Sequence, residues 1–367
     1  MSAAVRDWSD DERSAEDGAP EPIRRVWALR PAWPATGEVS DAEELVSVVV
    51  PARNEENAIG ACLDSILAQD WTAIEVLVVD GDSTDRTPDI VAEYADRDPR
   101  VRLLHNPRRI IPVSLNVALA EARSRWLVRV DAHAEVPPEY VRLAVAHLRT
   151  GRYGGVGGRK DGVGHTPAGR AVAAAMASRF GVGGSTYHWG EEVADVEHVP
   201  FGAYPVDLLR SMGGWDEELV VNQDFELDYR LRAAGHRILF DPAMRIDWEC
   251  RQSIGALYKQ YRRYGGGKVM VALKHPASLR PRHLAAPALV LMLGAAAAVS
   301  LRRPAAGAAL AAPYVLGLGV ATAQTAKQVD PKARRYVAPA FVAMHVGWGV
   351  GFWQRVAQVA RQRLRGR

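Results

Sequence analysis

The sequence predicts an α/β fold followed by a helical membrane region, and three observations support this assignment. Short β-branched runs alternate with helical segments of about ten residues in the first part of the chain. Clusters of polar residues follow directly after several of these runs. Beyond residue 284, long uncharged stretches replace the alternation.

Apolar runs predict four buried strands: Val46–Val50, Ile74–Val79, Val101–Leu104 and Trp126–Val130. The intervening segments predict helices at Asn57–Gln69, Pro88–Arg97 and Val113–Arg123. Strands that alternate with helices usually pair in parallel, and ligands bind beyond the carboxyl ends of such strands. Three polar segments lie at those ends and are expected to face one crevice: Pro51–Glu55, Asp80–Asp85 and Asp131–His133.

The middle of the chain is less regular. Residues 151–200 are rich in glycine, and two interpretations remain open for them: a mobile segment over the site, or loops with one alanine-rich helix near residues 168–179. A strand-turn-helix pattern returns over Val199–Asp247, with a helix expected at Asp224–Ala234. An aromatic and basic helix is expected at Ile254–Tyr264.

The C-terminal part contains three uncharged runs, Leu284–Leu301, Pro304–Ala326 and Tyr336–Gln354. A membrane-spanning helix needs about 20 apolar residues, so residues 284–354 are expected to form a membrane region of two to three helices. A soluble helical subdomain is the alternative. Three spans would place the basic tail, residues 355–367, outside, against the positive-inside tendency. The third run is therefore re-entrant or interfacial, or the tail departs from that tendency.

The charge distribution and the cysteine content limit the functions that are compatible with this sequence. Residues 1–22 carry seven acids against two arginines, and residues 280–367 carry thirteen Lys/Arg against Asp330 alone. The arginines flank apolar runs, which favours anionic lipid over nucleic acid. Residues 1–40 lack the pattern of a signal peptide and are expected to be a disordered acidic leader. Cys62 and Cys250 have no metal-type spacing, which indicates a reduced, cytosol-facing catalytic part.

Asp131-Ala132-His133 follows the fourth predicted strand. A carboxylate and an imidazole at this point suit a divalent cation, Mn²⁺ or Mg²⁺, that neutralises a diphosphate. The alternative for His133 is a loop histidine bonded to the backbone.

Five segments carry a resemblance to a known family. Val46–Glu56 resembles its opening strand and loop, and Val78–Thr87 is similar to its D-D-G-S-T-D-x-T signature, with the second and third positions swapped. Asp131-Ala132-His133 stands at a D-x-D position, Gly213–Asp224 resembles an acceptor-side region with Gln for Glu, and Gln260–Tyr264 resembles Q-x-x-R-W. Together these segments, within residues 45–268, resemble the family 2 glycosyltransferases, and most of all their succinoglycan-biosynthesis, ExoA-type subgroup.

The resemblance implies a GT-A nucleotide-sugar-binding domain, a Rossmann-like mixed sheet, over residues 45–275. It implies that Asp224 is the catalytic general base, although Asp at the start of a helix is also an ordinary N-cap. Acceptor contacts are implied for Gln223, Gln260 and Tyr264, and Tyr264 has packing at the membrane interface as its alternative. The implied contacts with the donor are Pro51, Ala52, Arg53, Glu55, Asp80, Asp82, Asp131 and Arg263. For Asp80 and Asp82, a backbone turn is the alternative, and Ser83, Thr84 and Asp85 are expected to cap the next helix.

The function implied is an inverting glycosyltransferase that moves a sugar from a nucleotide-diphosphate donor, a UDP-sugar by resemblance, to a lipid-linked saccharide. The product would be an exopolysaccharide or a cell-envelope glycan. The enzyme would be a multi-pass protein of the cell membrane with its catalytic domain facing the cytoplasm, in contact with a polysaccharide assembly complex. Two alternatives stay open: a polyprenyl-phosphate sugar synthase, and a degenerate scaffold protein that only binds nucleotide sugar.

Overall fold

The computed structural model describes residues 44–365, which form two compact units. The sheet unit comprises residues 44–160 and 190–248, and the helical unit comprises residues 161–189 and 249–365. The predicted leader, residues 1–40, lies outside the described residues.

One sheet dominates the sheet unit. Its nine strands are β1 (Val46–Ala52), β2 (Ile74–Asp80), β3 (Val101–His105), β4 (Trp126–Arg129), β5 (Ala134–Glu135), β6 (Gly155–Val163), β7 (Ala194–Val196), β8 (Ala203–Pro205) and β9 (Ile238–Glu249). The strand order is β3-β2-β1-β4-β8-β6-β9-β5, and β7 pairs with β9. Strands β3, β2, β1 and β4 are parallel, whereas β8 joins β4 in antiparallel pairing.

Some of the helices lie against the sheet, and the others form the helical unit. They are α1 (Ile59–Leu67), α2 (Thr87–Arg97), α3 (Ile111–Glu121), α4 (Tyr140–Arg149), α5 (Pro167–Met176), α6 (Arg179–Val182), α7 (Val206–Ser211), α8 (Gln223–Ala233), α9 (Ile254–Lys274), α10 (Ala285–Ser300), α11 (Pro304–Thr325), α12 (Pro331–Arg334) and α13 (Val337–Arg365).

The parallel half of the sheet confirms the prediction, since the four expected strands occur in parallel and alternate with α1, α2 and α3. The antiparallel strands were harder to predict from the sequence, because β6 is rich in glycine. A Cβ on Gly158 would lie 1.6 Å from the carbonyl oxygen of Met244, so only glycine allows this close approach of backbones. The glycine-rich stretch therefore begins with a strand, and the helix expected near residues 168–179 is α5.

A buried carboxylate ties β1 and β2 together. The Glu75 side chain accepts hydrogen bonds from Ser47 Oγ at 2.6 Å and from the backbone N and the Nε of Arg123, both at 2.8 Å. Burial alone would raise the pKa of Glu75, but these hydrogen bonds lower it below its ordinary value. The ionised carboxylate thus helps to fix the parallel strands whose opposite ends carry the polar loops.

In the helical unit, α9 and α13 pack with their backbones in near contact. A Cβ on Gly265 would lie 2.0 Å from the carbonyl oxygen of Trp348, and one on Gly351 would lie 1.9 Å from that of Arg262. Helix α9 therefore continues ten residues beyond the predicted end at Tyr264, across three consecutive glycines, because glycine is what this helix pair requires.

Two helical stretches, Pro281–Ser300 and Pro304–Gln328, are long and apolar enough to cross a membrane, and most of their surface is exposed. Leu291, Leu316 and Val320 are among the large apolar side chains that they present, with 56%, 69% and 59% exposure. The third uncharged run, apart from Tyr336, lies in α13, which has a buried face that includes Phe341 and Met344. Within residues 44–365, α13 is not among the helices long and apolar enough to cross a membrane.

Candidate active site

Two loops meet at the carboxyl ends of β1 and β2 and are cross-linked by hydrogen bonds. Asn54 N donates to Ser83 Oγ at 2.9 Å, and Asn54 Oδ1 accepts from the backbone N of Thr84 at 2.8 Å. Glu55 N donates to Thr87 Oγ1 at 2.7 Å. Asn54 has a φ of 55°, a left-handed conformation that asparagine tolerates better than most residues. The loops therefore hold each other in a fixed shape.

The predicted wall of Pro51, Ala52 and Arg53 forms the end of β1 and the start of its loop. The carbonyl oxygen of Ala52 accepts a hydrogen bond from Gly81 N at 2.8 Å. A Cβ on Gly81 would meet both this oxygen and the Cβ of Arg53 at 3.4 Å, an ordinary van der Waals distance, so the approach of the two loops does not itself require the swapped glycine of the signature.

Asp80 and Asp82 differ in their surroundings. Asp80 is 6% exposed, and its Oδ2 accepts a hydrogen bond from Ser83 N at 3.1 Å. Its buried Oδ1 accepts none within residues 44–365. Asp82 has a φ of 59°, and its Oδ2 accepts from Arg109 Nε at 2.7 Å. Asp80 thus offers an unsatisfied acceptor to a ligand, whereas Asp82 is paired with an arginine that the sequence analysis missed.

The expected capping role of the Asp80–Asp85 loop is partly correct. The Asp85 carboxylate accepts from Thr87 N at 3.0 Å and from Thr87 Oγ1 at 2.6 Å, at the start of α2. Ser83 and Thr84 bind Asn54 instead of the helix.

Glu55 and His133 form a pair across the site. His133 Nδ1 lies 2.9 Å from Glu55 Oε1, and the two side chains are 22% and 25% exposed. The predicted donor contact Glu55 is thus placed against the predicted metal ligand. A carboxylate that orients one imidazole nitrogen leaves the other to face a metal ion, and the contact between Glu55 and His133 has this geometry.

The residues fit a divalent cation only as a partial ligand set. No group of three His, Cys, Asp or Glu side chains suited to a metal occurs within the described part of the chain. Asp131 uses Oδ1 to accept hydrogen bonds from Arg129, and His133 uses Nδ1 for Glu55. Asp131 Oδ2 and His133 Nε2 remain as one hard oxygen and one borderline nitrogen donor, which suits Mn²⁺ when a diphosphate supplies the other ligands.

Asp224 and Asp131 share one buried arginine. Arg129 Nη1 donates to both carboxylate oxygens of Asp224 at 2.6 Å, while Nε and Nη2 lie 2.9 and 2.8 Å from Asp131 Oδ1. Trp215 Nε1 donates to Asp224 Oδ1 at 3.1 Å. Burial would lower the pKa of Arg129, but the two carboxylates raise it above its ordinary value. Both carboxylates therefore face a permanent positive charge.

Arg129 was not among the predicted site residues, although the sequence contains a signal for it. It is the only charged residue in the otherwise apolar strand Trp126–Val130, and a charge in a buried strand requires partners.

The N-cap alternative for Asp224 is wrong. Helix α8 begins at Gln223, and the N-cap is Asn222, with a φ of 63° and no capping hydrogen bond from its side chain. Asp224 is the second helical residue, and its carboxylate is held by Arg129 and Trp215. Gln223 is 7% exposed and lies beside it on the first turn.

The remaining predicted residues lie on α9, in the helical unit. Gln260 Nε2 donates to Tyr264 Oη at 3.1 Å, and the Tyr261 and Tyr264 rings are 5.6 Å apart. Gln260 Oε1 is buried and accepts no hydrogen bond from the described residues. The Arg263 side chain is exposed. These residues form an amide-aromatic cluster with one exposed cation.

The comparisons with known proteins agree with this fold. The model for "Glycosyl transferase family 2" matches residues 47–193, and that for "Glycosyl transferase family group 2" matches residues 126–323. The succinoglycan biosynthesis protein ExoA of Rhizobium meliloti (strain 1021) is 33% identical over 332 residues, which cover 88% of this chain and 99% of that protein.

A second relative is a dolichyl N-acetyl-alpha-D-glucosaminyl phosphate 3-beta-D-2,3-diacetamido-2,3-dideoxy-beta-D-glucuronosyltransferase of Methanococcus voltae, 24% identical over 62% of this chain and 74% of that protein. Among solved structures, the mannosyltransferase PcManGT from Pyrobaculum calidifontis, in complex with GDP-Man and Mn²⁺, has the same fold. It matches with a TM-score of 0.58 and 23% identity over 89% of this chain and 92% of that one. The family models and the extended similarity to ExoA show that this chain belongs to glycosyltransferase family 2 and is a glycosyltransferase with a GT-A fold.

Proposed function

We propose that this protein is an inverting glycosyltransferase that transfers a sugar from a nucleotide-diphosphate donor to a lipid-linked saccharide during synthesis of an exopolysaccharide or envelope glycan. The observation that carries this proposal is the pair of carboxylates on Arg129. Asp131 and Asp224 each lie within 3 Å of its guanidinium, so a group suited to the diphosphate and a group suited to the acceptor hydroxyl belong to one site.

The donor would bind against the two cross-linked loops. The buried, unsatisfied Oδ1 of Asp80 would accept a hydrogen bond from the base or ribose, which would remove the cost of an unpaired buried acceptor. Pro51, Ala52 and Arg53 would form the facing wall. The base is uridine by family resemblance, whereas the mannosyltransferase of similar fold holds GDP-Man. The experiment below therefore uses both UDP-sugars and GDP-sugars as donors.

Asp131 and His133 would hold a divalent cation, Mn²⁺ or Mg²⁺, and Arg263 would add a contact to the diphosphate. When bound, the cation supplies charge neutralisation of the leaving diphosphate. The presence of Mn²⁺ in the mannosyltransferase complex supports this assignment. Glu55 would hold His133 in the required orientation through its 2.9 Å contact.

Asp224 would act as the general base. Its carboxylate would accept the proton of the acceptor hydroxyl while the hydroxyl oxygen attacks the anomeric carbon and the bond to the diphosphate breaks. A single displacement of this kind inverts the anomeric configuration. Such bases supply about 10²–10⁴-fold in rate. Gln223, beside Asp224 on α8, and Gln260 and Tyr264 on α9 would contact the acceptor.

Pro281–Ser300 and Pro304–Gln328 would span the membrane, and α13 would not, because its apolar part is packed against α9. Two spans rather than three return the chain to its starting side. The arginines of the last turns of α13 would then lie on the cytoplasmic side together with the catalytic domain, as the positive-inside tendency favours. A membrane location and the relatives named for succinoglycan biosynthesis and for a dolichyl-linked acceptor support a lipid-linked saccharide as acceptor.

The test uses the full chain in membranes with radiolabelled UDP- and GDP-sugars, native lipid extract as acceptor, and Mn²⁺, Mg²⁺ or a chelator. We expect one donor to label the lipid fraction only when a divalent cation is present, and Asp224→Asn to reduce the rate by about 10²–10⁴-fold. The matched control is Glu226→Gln, which breaks a buried pair with Arg230 on the same helix, at 2.8 Å, without touching Arg129.

Three outcomes would contradict parts of the proposal. Label on polyprenyl phosphate without a saccharide would identify the phosphate as the acceptor. Retention of the anomeric configuration in the product would exclude a single displacement. Tight donor binding with no transfer to any lipid would favour a protein that binds nucleotide sugar without catalysis.

A further inference from the structure

We propose that Arg129 is the positioning residue that fixes the base Asp224 and couples it to Asp131, an inference that rests on the proposed function. The guanidinium has five N–H groups in a rigid planar fork. Those on Nη1 contact both oxygens of Asp224, and those on Nε and Nη2 contact Asp131 Oδ1. One side chain thus sets the orientation of both carboxylates.

The position of Arg129 in the fold makes this arrangement rigid. Its backbone lies in β4, whose register places Arg129 opposite Val49 of β1, and its N donates to the carbonyl oxygen of Gly202 at 3.3 Å. The Arg129 side chain is 3% exposed, and its guanidinium carbon lies 5.2 Å from the centre of the Phe201 ring. A side chain anchored in a central strand and covered by an aromatic ring has little freedom to move.

Lysine cannot replace this function, because an ammonium is a point charge without the planar fork. In Arg129→Lys the ammonium would make a good contact with only one of the two carboxylates, and the Asp224 side chain would be free to rotate. A displacement of about 1 Å in a reacting group costs about 10²-fold in rate. We therefore expect Arg129→Lys to lower kcat by about 10²-fold while the KM for the donor changes by less than about 3-fold.

A double-mutant cycle separates positioning from general support of the fold. Transfer is measured with the full-length protein in membranes for the wild type, Arg129→Lys, Asp224→Asn and the double variant. If Arg129 acts through Asp224, the lysine substitution should lower kcat by less than about 3-fold in the Asp224→Asn background, because interacting residues are not additive. Arg230→Lys is the matched control, since Arg230 also forms a buried double contact with a carboxylate of α8, Glu226, at 2.8 and 3.0 Å. It should lower the melting temperature as Arg129→Lys does, yet leave kcat within about 3-fold.

A second variant covers the case in which Arg129→Lys does not fold. Phe201→Leu keeps the guanidinium and removes the ring over which it lies, and we expect a fall in kcat of about 10-fold that again disappears in the Asp224→Asn background. Equal losses in both backgrounds, for either variant that folds, would overturn the positioning role, as would equal kcat losses for Arg129→Lys and Arg230→Lys. A wild-type protein that transfers no sugar would overturn the proposed function and this inference together, whereas additive losses in an active enzyme would overturn this inference alone.

Discussion

The contact between Glu55 and His133 leads to a direct prediction about metal affinity. Glu55 was predicted to contact the donor and His133 to bind the metal, and Oε1 of Glu55 lies 2.9 Å from Nδ1 of His133. In Glu55→Ala the imidazole would lose the carboxylate that orients it. His133 would keep its tilted contact with the Trp248 ring, at 5.7 Å between centroids.

The expected magnitude follows from the role of such supporting carboxylates. Removal of a carboxylate behind a metal-ligating histidine typically lowers metal affinity by about 10–100-fold, which corresponds to about 1.4–2.8 kcal/mol. Both side chains are about one quarter exposed, so part of the lost interaction is replaced by water. The lower half of that range is therefore the better expectation.

The assay is the binding of Mn²⁺ itself, followed by the loss of the free-ion electron paramagnetic resonance signal in the presence of a nucleoside diphosphate. Glu56→Gln is the control, because Glu56 is the next residue of the loop and its side chain accepts a hydrogen bond from Arg86 N, at 3.1 Å, on the other loop. If Glu55→Ala bound Mn²⁺ as tightly as the wild type while His133→Ala did not, Glu55 would have no supporting role. If neither substitution changed Mn²⁺ binding, the metal site would lie elsewhere.

Three further predictions concern the nucleotide, acid stability and helix packing. Asp80→Asn should weaken binding of the nucleoside diphosphate by about 10–100-fold with an unchanged melting temperature, because a hydrogen bond to a charged acceptor is worth about 1.5–3 kcal/mol. Calorimetric titration measures the affinity, and an unchanged affinity would show that Asp80 does not contact the nucleotide. The lowered pKa of Glu75 contributes stability that is present above its unfolded-state value of about 4.3 and is lost as the pH falls through the lower folded-state pKa. The free energy of unfolding, measured from pH 6 downward, should therefore fall less steeply with pH in Glu75→Gln than in the wild type. Equal slopes for the two proteins would refute the assignment. Gly351→Ala should destabilise the protein by about 3 kcal/mol, because its Cβ would lie 1.9 Å from the Arg262 carbonyl oxygen, whereas Gly255→Ala, with no atom within 4 Å, should not lower the melting temperature.

The parallel half of the fold was predictable because its signals are local. Each strand from β1 to β4 is a short apolar run, and each intervening helix has its own periodicity, so type and order follow from neighbouring residues. The antiparallel half was not predictable in this way. Gly158 carries no pattern of its own, and its requirement for glycine arises from Met244, far away in the chain.

The same distinction applies to the C-terminal part. Length and composition identified the two apolar stretches that become α10 and α11. They did not distinguish the third run from these two stretches, because what sets it apart is its contact with α9. Gly265 and Gly351 allow that contact, and neither glycine reveals its partner in the sequence.

The sequence by itself determined the residue types of the candidate site and the strand ends on which they lie. Only the tertiary structure decided which of them meet. Arg129 and Asp224 are 95 residues apart, and Glu55 and His133 are 78 apart. Their contacts depend on the order of strands in the sheet and on the placement of α8 beside β4. A local pattern can position a carboxylate at the end of a strand, but the partner that fixes its orientation comes from another element, and packing of the whole sheet selects that partner.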